Sequence, residues 1–355
     1  MPYILDEGPP LFAGLNVLPK KSTLTEYSAR VATGQLDDLM DLWHTQAAKK
    51  LSVSSGSLDL DFHIIPYHGT TMEKHFVSSR RQRGVLALVA RDASQRALIY
   101  ASAKASQNNA VITFVDIWKE RTGKLPDELV FDRRFTTYPF MEQLNERGIL
   151  LLTLHKRFPR LLEEISQQPP EAWKKVSLSN IGHQYRTPYV LEARVRIKAY
   201  EGELSQLAVR GLGHIKPTIL LTTNTQTGSA ALIDRYARRM LVENAIEEFI
   251  NFFHMDALSA AVPLNIDVDL QLTLIGSALY RMLANRLPPP YAKNKARMLF
   301  RNFVDVPTRI KITPDQIIVR RKRRTHNSLL REAGYVGSQG SIPWMDNREF
   351  VLDYL

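Results

Sequence analysis

Between residues 58 and 64 the chain alternates strictly, with Leu58, Leu60, Phe62 and Ile64 set against Asp59, Asp61 and His63. This period of two predicts a strand with one apolar face and one acidic, polar face. Ahead of it, Leu36 to Leu51 carries apolar residues at helical spacing, the opening around Pro9 and Pro10 does not, and Ser52–Ser57 punctuates the boundary. A basic loop follows the strand (Lys74, Arg80, Arg81, Arg83), and then two more strands, Gly84–Ala90 and Ala97–Ala103. These two are expected to form a hairpin that turns at Asp92–Gln95. An amphipathic helix is predicted from Asn108 to Thr122, with Val111, Phe114, Val115 and Trp118 on one side, and Gly123 closes it. The apolar run Glu128–Phe131 reads as a strand ending at Asp132. Tyr138–Arg147 reads as a helix stopped by Gly148, and Ile149–Leu154 as a further strand.

Strands alternating with helices imply parallel pairing in this second part. Three strands in succession, then helix, strand, helix and strand, is the order of a ribonuclease-H-like α/β fold, a mixed five-stranded sheet with flanking helices. From Pro159 to about Asn224 the pattern becomes β-rich (Val176–Leu178, Tyr189–Tyr200, Leu204–Arg210, Thr218–Thr223), with turns at Gly202 and Gly211–Gly213. Helices then return at Ser229–His254 and at the strongly apolar Asp269–Arg286, which is expected to be buried. After Pro288–Pro290 come a helix and a hairpin, Thr308–Thr313 with Gln316–Arg320, turning at Pro314–Asp315, and an irregular tail. The expected division is an N-terminal loop and helix (1–56), the first part of the core (57–158), a β-rich insertion (159–226), a helical second part of the core (227–290), and a C-terminal hairpin and basic tail (291–355). No internal repeat is visible.

Composition changes this picture in two ways. Across 355 residues, Lys+Arg outnumber Asp+Glu by 47 to 36, a net charge of +11, so an anionic partner is expected and nucleic acid is the commonest. A merely basic enzyme fits that figure equally well. There is no cysteine, which excludes disulfides, thiolate metal sites and cysteine nucleophiles. Met1 to Lys20 lacks the basic start and apolar run of a signal peptide, and no run reaches the roughly 18 apolar residues that span a bilayer. A cytoplasmic protein with no membrane partner is the expectation.

Three carboxylates stand out by position. Asp61 lies mid-strand on the polar face, Asp132 at the C-terminal end of an apolar strand where open α/β sheets place ligand groups, and Glu243 inside a long helix whose neighbours Met240, Ala245 and Ile246 are apolar. Converging carboxylates repel one another and call for a hard cation such as magnesium. Two such ions about 4 Å apart would serve phosphoryl transfer. Each acid also has a plain alternative. Asp61 as a solvated strand residue, Asp132 as a helix cap and Glu243 as a partner of Arg239 one turn back all fit their local sequence.

Taken with their surroundings, these residues resemble the DDE transposases of bacterial insertion sequences, in the branch with a β-rich insertion before the third acid. Leu60-Asp61-Phe62-His63 with Ile65-Pro66 is similar to the first-acid strand of that branch, and Val130-Phe131-Asp132-Arg133-Arg134-Phe135 to its second-acid region. Tyr236-x2-Arg239-x3-Glu243 matches three positions of its Tyr-Arg-Glu-Lys signature; the Lys position is Ile250 here. The resemblance runs from about Leu58 to Arg324. It implies Asp61, Asp132 and Glu243 as catalytic metal ligands, with Mg2+ as cofactor and Mn2+ able to substitute. It also implies DNA-phosphate contacts from Tyr236 and Arg239, double-stranded DNA (terminal repeats and target) as partner, and a homodimer in the synaptic complex. Members usually carry more chain before the first acid, so a shortened copy with impaired end recognition is a further expectation.

Other features remain open at this stage. Asp59 shares a face with Asp61 and rivals it as first acid, His63 points the same way, Asp92 reads as a turn residue, and Trp118 reads as core. Lys156 and Arg157 are candidates to replace the missing Lys contact. The run Arg320, Arg321, Lys322, Arg323, Arg324 is the densest basic cluster and is expected to bind the DNA backbone. Three functions compete: a cut-and-paste transposase, a transposase-derived DNA-binding protein that no longer cuts, and a metal-dependent nuclease that nicks without joining.

Overall fold

The computed structural model describes residues 14, 20, 22–23, 26–50, 56–67, 75–77, 82–93, 98–103, 107–132, 137–179, 182–198, 200–255, 263–289 and 291–354. The expectations at Pro9, Pro10, Lys74, Arg80, Arg81, most of Ser52–Ser57, the end of the Asp92–Gln95 turn and Arg133 to Phe135 lie outside the described residues. The chain forms two compact units, residues 32–275 and residues 1–31 with 276–355.

In the larger unit, α1 (Thr33–Lys50) precedes β1 (Ser57–Pro66), β2 (His75–Val77), β3 (Gln82–Asp92) and β4 (Leu98–Ser102). Next come α2 (Gln107–Thr122), β5 (Glu128–Phe131), α3 (Tyr138–Glu146), β6 (Leu150–Leu154) and α4 (Pro159–Ser166). The β-rich stretch supplies β7 (Lys174–Lys175), β8 (Tyr189–Val195), β9 (Leu204–Arg210) and β10 (Thr218–Thr222), and two long helices follow, α5 (Ser229–Asn251) and α6 (Pro263–Arg286). The fold is mixed α/β, as the pattern of periods predicts.

The sheet is larger than the five strands expected. Ten strands join in one sheet, in the path β2-β3-β1-β5-β6-β10-β9-β8-β7, with β4 on β3. β1, β5 and β6 run parallel to one another, whereas β3 is antiparallel to β1 and β4 to β3. The β-rich stretch therefore extends this sheet and does not stand apart from it: β10 pairs antiparallel with β6 through Leu220 and Leu154, Leu221 and Thr153, and Thr222 and Leu152. That pairing satisfies main-chain groups that β6 would otherwise present as an open edge. Two details of the β-rich stretch also differ. Val176 and Leu178 are not a strand, yet their amides still donate to Pro188 and Arg186 carbonyls. Asp92 is no turn residue; it closes β3 opposite Leu58 and is fully buried.

Helix α5 covers one face of the sheet, and its sequence suits that role, since it carries neither Gly nor Pro over 23 residues. Leu232 and Ile233 at its start pack with Val130, Leu152, Leu207 and Leu220. Val242, Ile246 and Phe249 near its end pack with Ile65, Val85, Val89 and Ala101, and with Ile266, Leu270 and Leu274 of α6. Trp118 is core, as expected, stacked near Phe114.

Among the described residues β4 has a strand on one side only. The other side meets α6, where the Ala103 amide donates to Asp267 Oδ1 (2.9 Å) and Gln271 Nε2 donates to the Ala101 carbonyl (2.8 Å). Two side chains one helical turn apart thus stand in for a neighbouring strand.

The smaller unit holds a four-stranded sheet, β11 (Thr308–Ile312), β12 (Gln316–Arg321), β14 (Arg348–Tyr354) and β13 (Gly337–Ile342) in that order. The β11/β12 hairpin is the one expected. The short helix α7 (Ala296–Leu299), running into a π-helical turn at Phe300–Val304, matches the helix expected before it. The tail is not irregular: α8 (Asn327–Glu332) and two strands occupy it, and β14 lies parallel to β12. In β13 only Ile342 is buried, and every residue of β14 is half-buried, so neither strand has a two-residue alternation to read.

Replacing Asp267 with Ala would leave the buried Ala103 amide without its acceptor, a loss of about 1–3 kcal/mol. Urea unfolding of the variant would show it as a lowered midpoint, and an unchanged midpoint would mean that the contact at β4 contributes nothing.

Candidate functional site: an arginine-bridged carboxylate seam

The polar face of β1 carries Ser57, Asp59, Asp61 and His63 at every second position. Two residues along a strand advance about 6.6–6.8 Å, and four along a helix advance about 6 Å. The near match lets α5 lie over β1 with successive turns meeting alternate strand residues: Arg235 meets Asp59, and Arg239 meets Asp61.

The first contact is tight. Arg235 Nη1 reaches Asp59 Oδ1 at 2.6 Å, its Nε reaches Glu128 Oε2 at 2.9 Å, and its Nη2 donates to Ser57 Oγ at 2.7 Å. Ser57 Oγ in turn donates to Glu128 Oε2 at 2.6 Å. The other Asp59 oxygen takes Arg91 Nη1 at 2.6 Å, and both of those side chains are buried. With each oxygen held by a guanidinium and no exposure to solvent, Asp59 is a structural anion. Of the two rivals on this face, Asp61 is the one that reaches solvent.

The second contact is looser. Arg239 lies between Asp61 and Glu243, with Nη1 3.4 Å from Asp61 Oδ2 and Nη2 3.4 Å from Glu243 Oε1. Charge-assisted hydrogen bonds usually span about 2.7–2.9 Å. The Arg239 side chain is 6% exposed, whereas Asp61 is 20% and Glu243 50% exposed, so the carboxylates open outward and the cation is covered. Asp132 is the residue after β5. The parallel register pairs Leu60 with Phe131, so Asp61 and Asp132 are each the next residue along, and their charges interact.

The charges feel one another. Burial raises the Asp61 pKa above its ordinary value; Arg239 and the Phe62 amide, which donates to Oδ1 at 2.8 Å, oppose this, while Glu243 and Asp132 add to it. For Arg239 burial lowers the pKa, but Tyr236, Asp61, Asp132 and Glu243 outweigh it and the net shift is upward. Tyr236 is pushed up to about 12, mainly by burial, and remains a protonated phenol throughout the working range. Its ring packs against the Val130 and Leu152 cluster, 5.5 Å from the Arg239 guanidinium, and walls the site. Among the described residues no group of three or more His, Asp and Glu side chains stands close enough to hold a metal ion, and Arg239 fills the space between two of the candidate acids.

The remaining candidates divide. Lys156 and Arg157 project from the exposed segment after β6, beside the β5 end that carries Asp132. His155 pins that segment, with Nδ1 3.0 Å from Gln206 Oε1 and Nε2 3.1 Å from Tyr138 Oη. An amide oxygen only accepts, so the proton sits on Nδ1 and Nε2 accepts from the tyrosine. Burial, which lowers the His155 pKa against the effect of Gln206, favours the same neutral ring. Ile250 packs into the apolar cluster around Phe249, which explains an apolar residue where the signature has Lys. In the smaller unit the basic run is not uniform. Arg320 pairs with Asp353 at 3.0 Å, Arg321 is buried and donates to the Phe303 carbonyl at 2.5 Å, and Lys322, Arg323 and Arg324 are exposed. The expectation that Arg321 binds DNA is therefore corrected, since its charge is spent inside the fold.

Sequence reading missed Arg235, Arg91, Ser57 and Glu128. One signal was present: Arg235 precedes Arg239 by one helical turn just as Asp59 precedes Asp61 by one strand period.

No protein-family model and no curated protein matches this sequence. Among solved structures, the chain is similar to the piggyBac transposase in a synaptic complex with hairpin DNA, at a TM-score of 0.40 and 15% identity, over 84% of this chain and 66% of that one. It is also similar to the catalytic domain of human endonuclease V, at a TM-score of 0.24 and 10% identity, over 72% of this chain and 96% of that one. Both likenesses are too distant to assign chemistry to this chain.

Two outcomes follow from the seam. Arg235→Met strands Asp59 and Glu128 and should cost about 3–5 kcal/mol, the usual penalty for breaking a buried pair; Asp59→Asn made together with Arg235→Met should cost less than the two single changes summed. Additive losses in thermal or urea unfolding would rule the coupling out. In an NMR titration, the Asp61 carboxyl should titrate above 3.8 and move higher still in Arg239→Gln. Because the folded state holds that proton more tightly, its contribution to stability is present below 3.8 and is lost as pH rises through the raised value.

Proposed function

We propose that this chain is a DNA transposase of the DDE type, which cleaves strands at the ends of an insertion sequence and joins them to target DNA through Asp61, Asp132 and Glu243. The observation that carries this reading is the seam itself: Arg239 bridges Asp61 and Glu243 on α5 and β1, with Asp132 at the end of the parallel neighbour β5. The path β4-β3-β1-β5-β6, with its first two strands antiparallel and its last three parallel, supports a ribonuclease-H-like core. The β7–β10 extension just ahead of α5 supports the insertion-bearing branch.

The donor set, three carboxylates, is of the kind that a hard divalent cation takes, and Arg239 would have to leave the space between Asp61 and Glu243 before they could close on one. Mg2+, or Mn2+ in its place, would be held by Asp61, Asp132 and Glu243 and would supply activation of the attacking oxygen and stabilisation of the leaving one. The residues of the chain have their own tasks. Asp61 and Glu243 must be ionised to bind a cation, so the raised Asp61 pKa sets an acid limb below which activity falls. Arg239 stays charged and, once its loose carboxylate contacts are given up, is positioned to take a DNA phosphate. Tyr236 keeps its proton and so remains a donor. Lys156 and Arg157 extend the cationic surface beside Asp132. Double-stranded DNA is the partner, and a homodimer would bring two ends together.

The test is a strand-transfer assay with a DNA end substrate and Mg2+. Cleavage followed by joining is expected. Asp61→Asn, Asp132→Asn and Glu243→Gln should each lower both steps by roughly a thousandfold, about 4 kcal/mol in barrier. If all three variants cleave at the normal rate, the site assignment fails. Cleavage without joining would identify a nuclease. Binding with neither would identify a DNA-binding derivative, the outcome that the apolar Ile250 in place of Lys favours.

A further inference from the structure

The basic run ends in a pocket whose composition the sequence does not reveal. Within the unit 276–355, the chain leaves β12 at Arg321 and turns into α8, and this turn encloses an open cavity of about 760 Å³. Arg323, Arg324 and Arg331 line it together with Thr325, Asn327 and Ser328, and the Tyr354 ring closes one side. The Tyr354 hydroxyl is already committed to the Tyr335 carbonyl at 2.7 Å, and Asn327 Nδ2 to the Lys322 carbonyl at 3.2 Å, so these two shape the wall. Among the described residues, no acidic side chain lines the cavity. Arg320 faces Asp353 and Arg321 faces the Phe303 carbonyl, so the two strand arginines contribute nothing here.

Three guanidinium groups and the Thr325 hydroxyl around one concavity, with no carboxylate among the described lining residues, suit a tetrahedral oxyanion better than a planar or neutral ligand. Guanidinium forks bind phosphate oxygens in pairs, and hydroxyls fill the remaining acceptor positions. We propose that this pocket is a sequence-independent DNA site that seats a backbone phosphate on Arg323, Arg324 and Arg331, with Thr325 as a supporting donor; Ser328 Oγ donates to the Thr325 carbonyl at 3.5 Å and shapes the wall. The site therefore excludes Arg320 and Arg321 from the basic run and gains Arg331 from α8. It rests on the reading that the chain binds DNA but is independent of whether the chain cuts it.

The experiment measures binding of the full-length chain to a duplex of arbitrary sequence by fluorescence anisotropy over a series of salt concentrations. Each phosphate contact contributes about 0.9 to the slope of log K against log salt. The Arg323→Ala/Arg324→Ala/Arg331→Ala variant should lose about 0.9 units of slope, the share of one phosphate, equally for unrelated duplexes. Arg320→Ala should leave the slope unchanged, and the corresponding triple Lys variant should keep most of it. Should the triple Ala variant fail to fold by circular dichroism, Arg331→Ala alone should lower the slope by part of that roughly 0.9, again equally for unrelated duplexes. An unchanged slope in the Ala variants overturns the proposal. So does saturable, pocket-dependent binding of inorganic pyrophosphate without any slope change on DNA, which would make the ligand a free phosphate compound. Binding is measured without divalent metal and cleavage in the separate strand-transfer assay, so loss of cleavage and loss of this site are read separately.

Discussion

The ion pair between Arg235 and Asp59 fixes where α5 lies on the sheet, and the candidate site inherits its geometry from that contact. Asp59 is fully buried and would be costly to hold there alone. Arg91 from the neighbouring strand and Arg235 from the overlying helix each take one of its oxygens at 2.6 Å, and Glu128 and Ser57 complete the partners of Arg235. A slip of α5 by one residue would separate these groups and leave a buried charge uncompensated. Apolar packing alone specifies no such register, because Leu232, Ile233, Val242 and Ile246 would tolerate small shifts along the sheet. The charged clamp supplies the register, and the matched advance of helix and strand carries it one step on to Arg239 and Asp61.

The two steps differ in strength for a reason tied to their places in the fold. At the Asp59 step every partner is covered and distances are short. At the Asp61 step the carboxylates reach solvent and the arginine stands 3.4 Å from each. A covered, tight pair resists exchange, whereas a loose bridge between outward-facing acids can give way to another cation or release its arginine to an anion. The seam thus runs from a fixed end to an exchangeable one along a single strand, and only the exchangeable end has the chemistry proposed for the site.

Much of this was legible in the chain. The alternation from Leu58 to Ile64 gave the acidic face of β1, the run to Phe131 gave the strand end at Asp132, and the spacing of Tyr236, Arg239 and Glu243 gave one helical face. The alternation alone left Asp59 a rival of Asp61, since both lie on that face with the same apolar neighbours, and the preference for Asp61 rested on the Leu-Asp-Phe-His resemblance and its step nearer the end of the second-acid strand. What distinguishes them is contact with Arg91 and Arg235, which are 32 and 176 residues away from Asp59. The basic run misled for a similar reason. Arg320 and Arg321 alternate on a strand, so one meets Asp353 and the other turns inward, and a string of like charges shows neither partner. β13 and β14 were missed because β13 is mostly exposed and β14 half-buried throughout, which leaves neither a two-residue period.

The larger sheet bears on how the proposed chemistry would be supported. β10 pairs with β6, and β6 with β5, which ends at Asp132; α5 begins seven residues after β10 ends, at Ser229. The β-rich stretch is therefore hydrogen-bonded directly into the strands that carry the seam, and it delivers α5 to them over a short connection. Gln206 of β9 extends the same continuity by holding His155, and with it the segment that presents Lys156 and Arg157. A DNA backbone resting on that segment would load strands that share main-chain hydrogen bonds with β5. Contacts made outside the seam and the placement of Asp132 are thus mechanically one system, which is what a reaction requiring a strand to stay in place between cutting and joining demands of its scaffold.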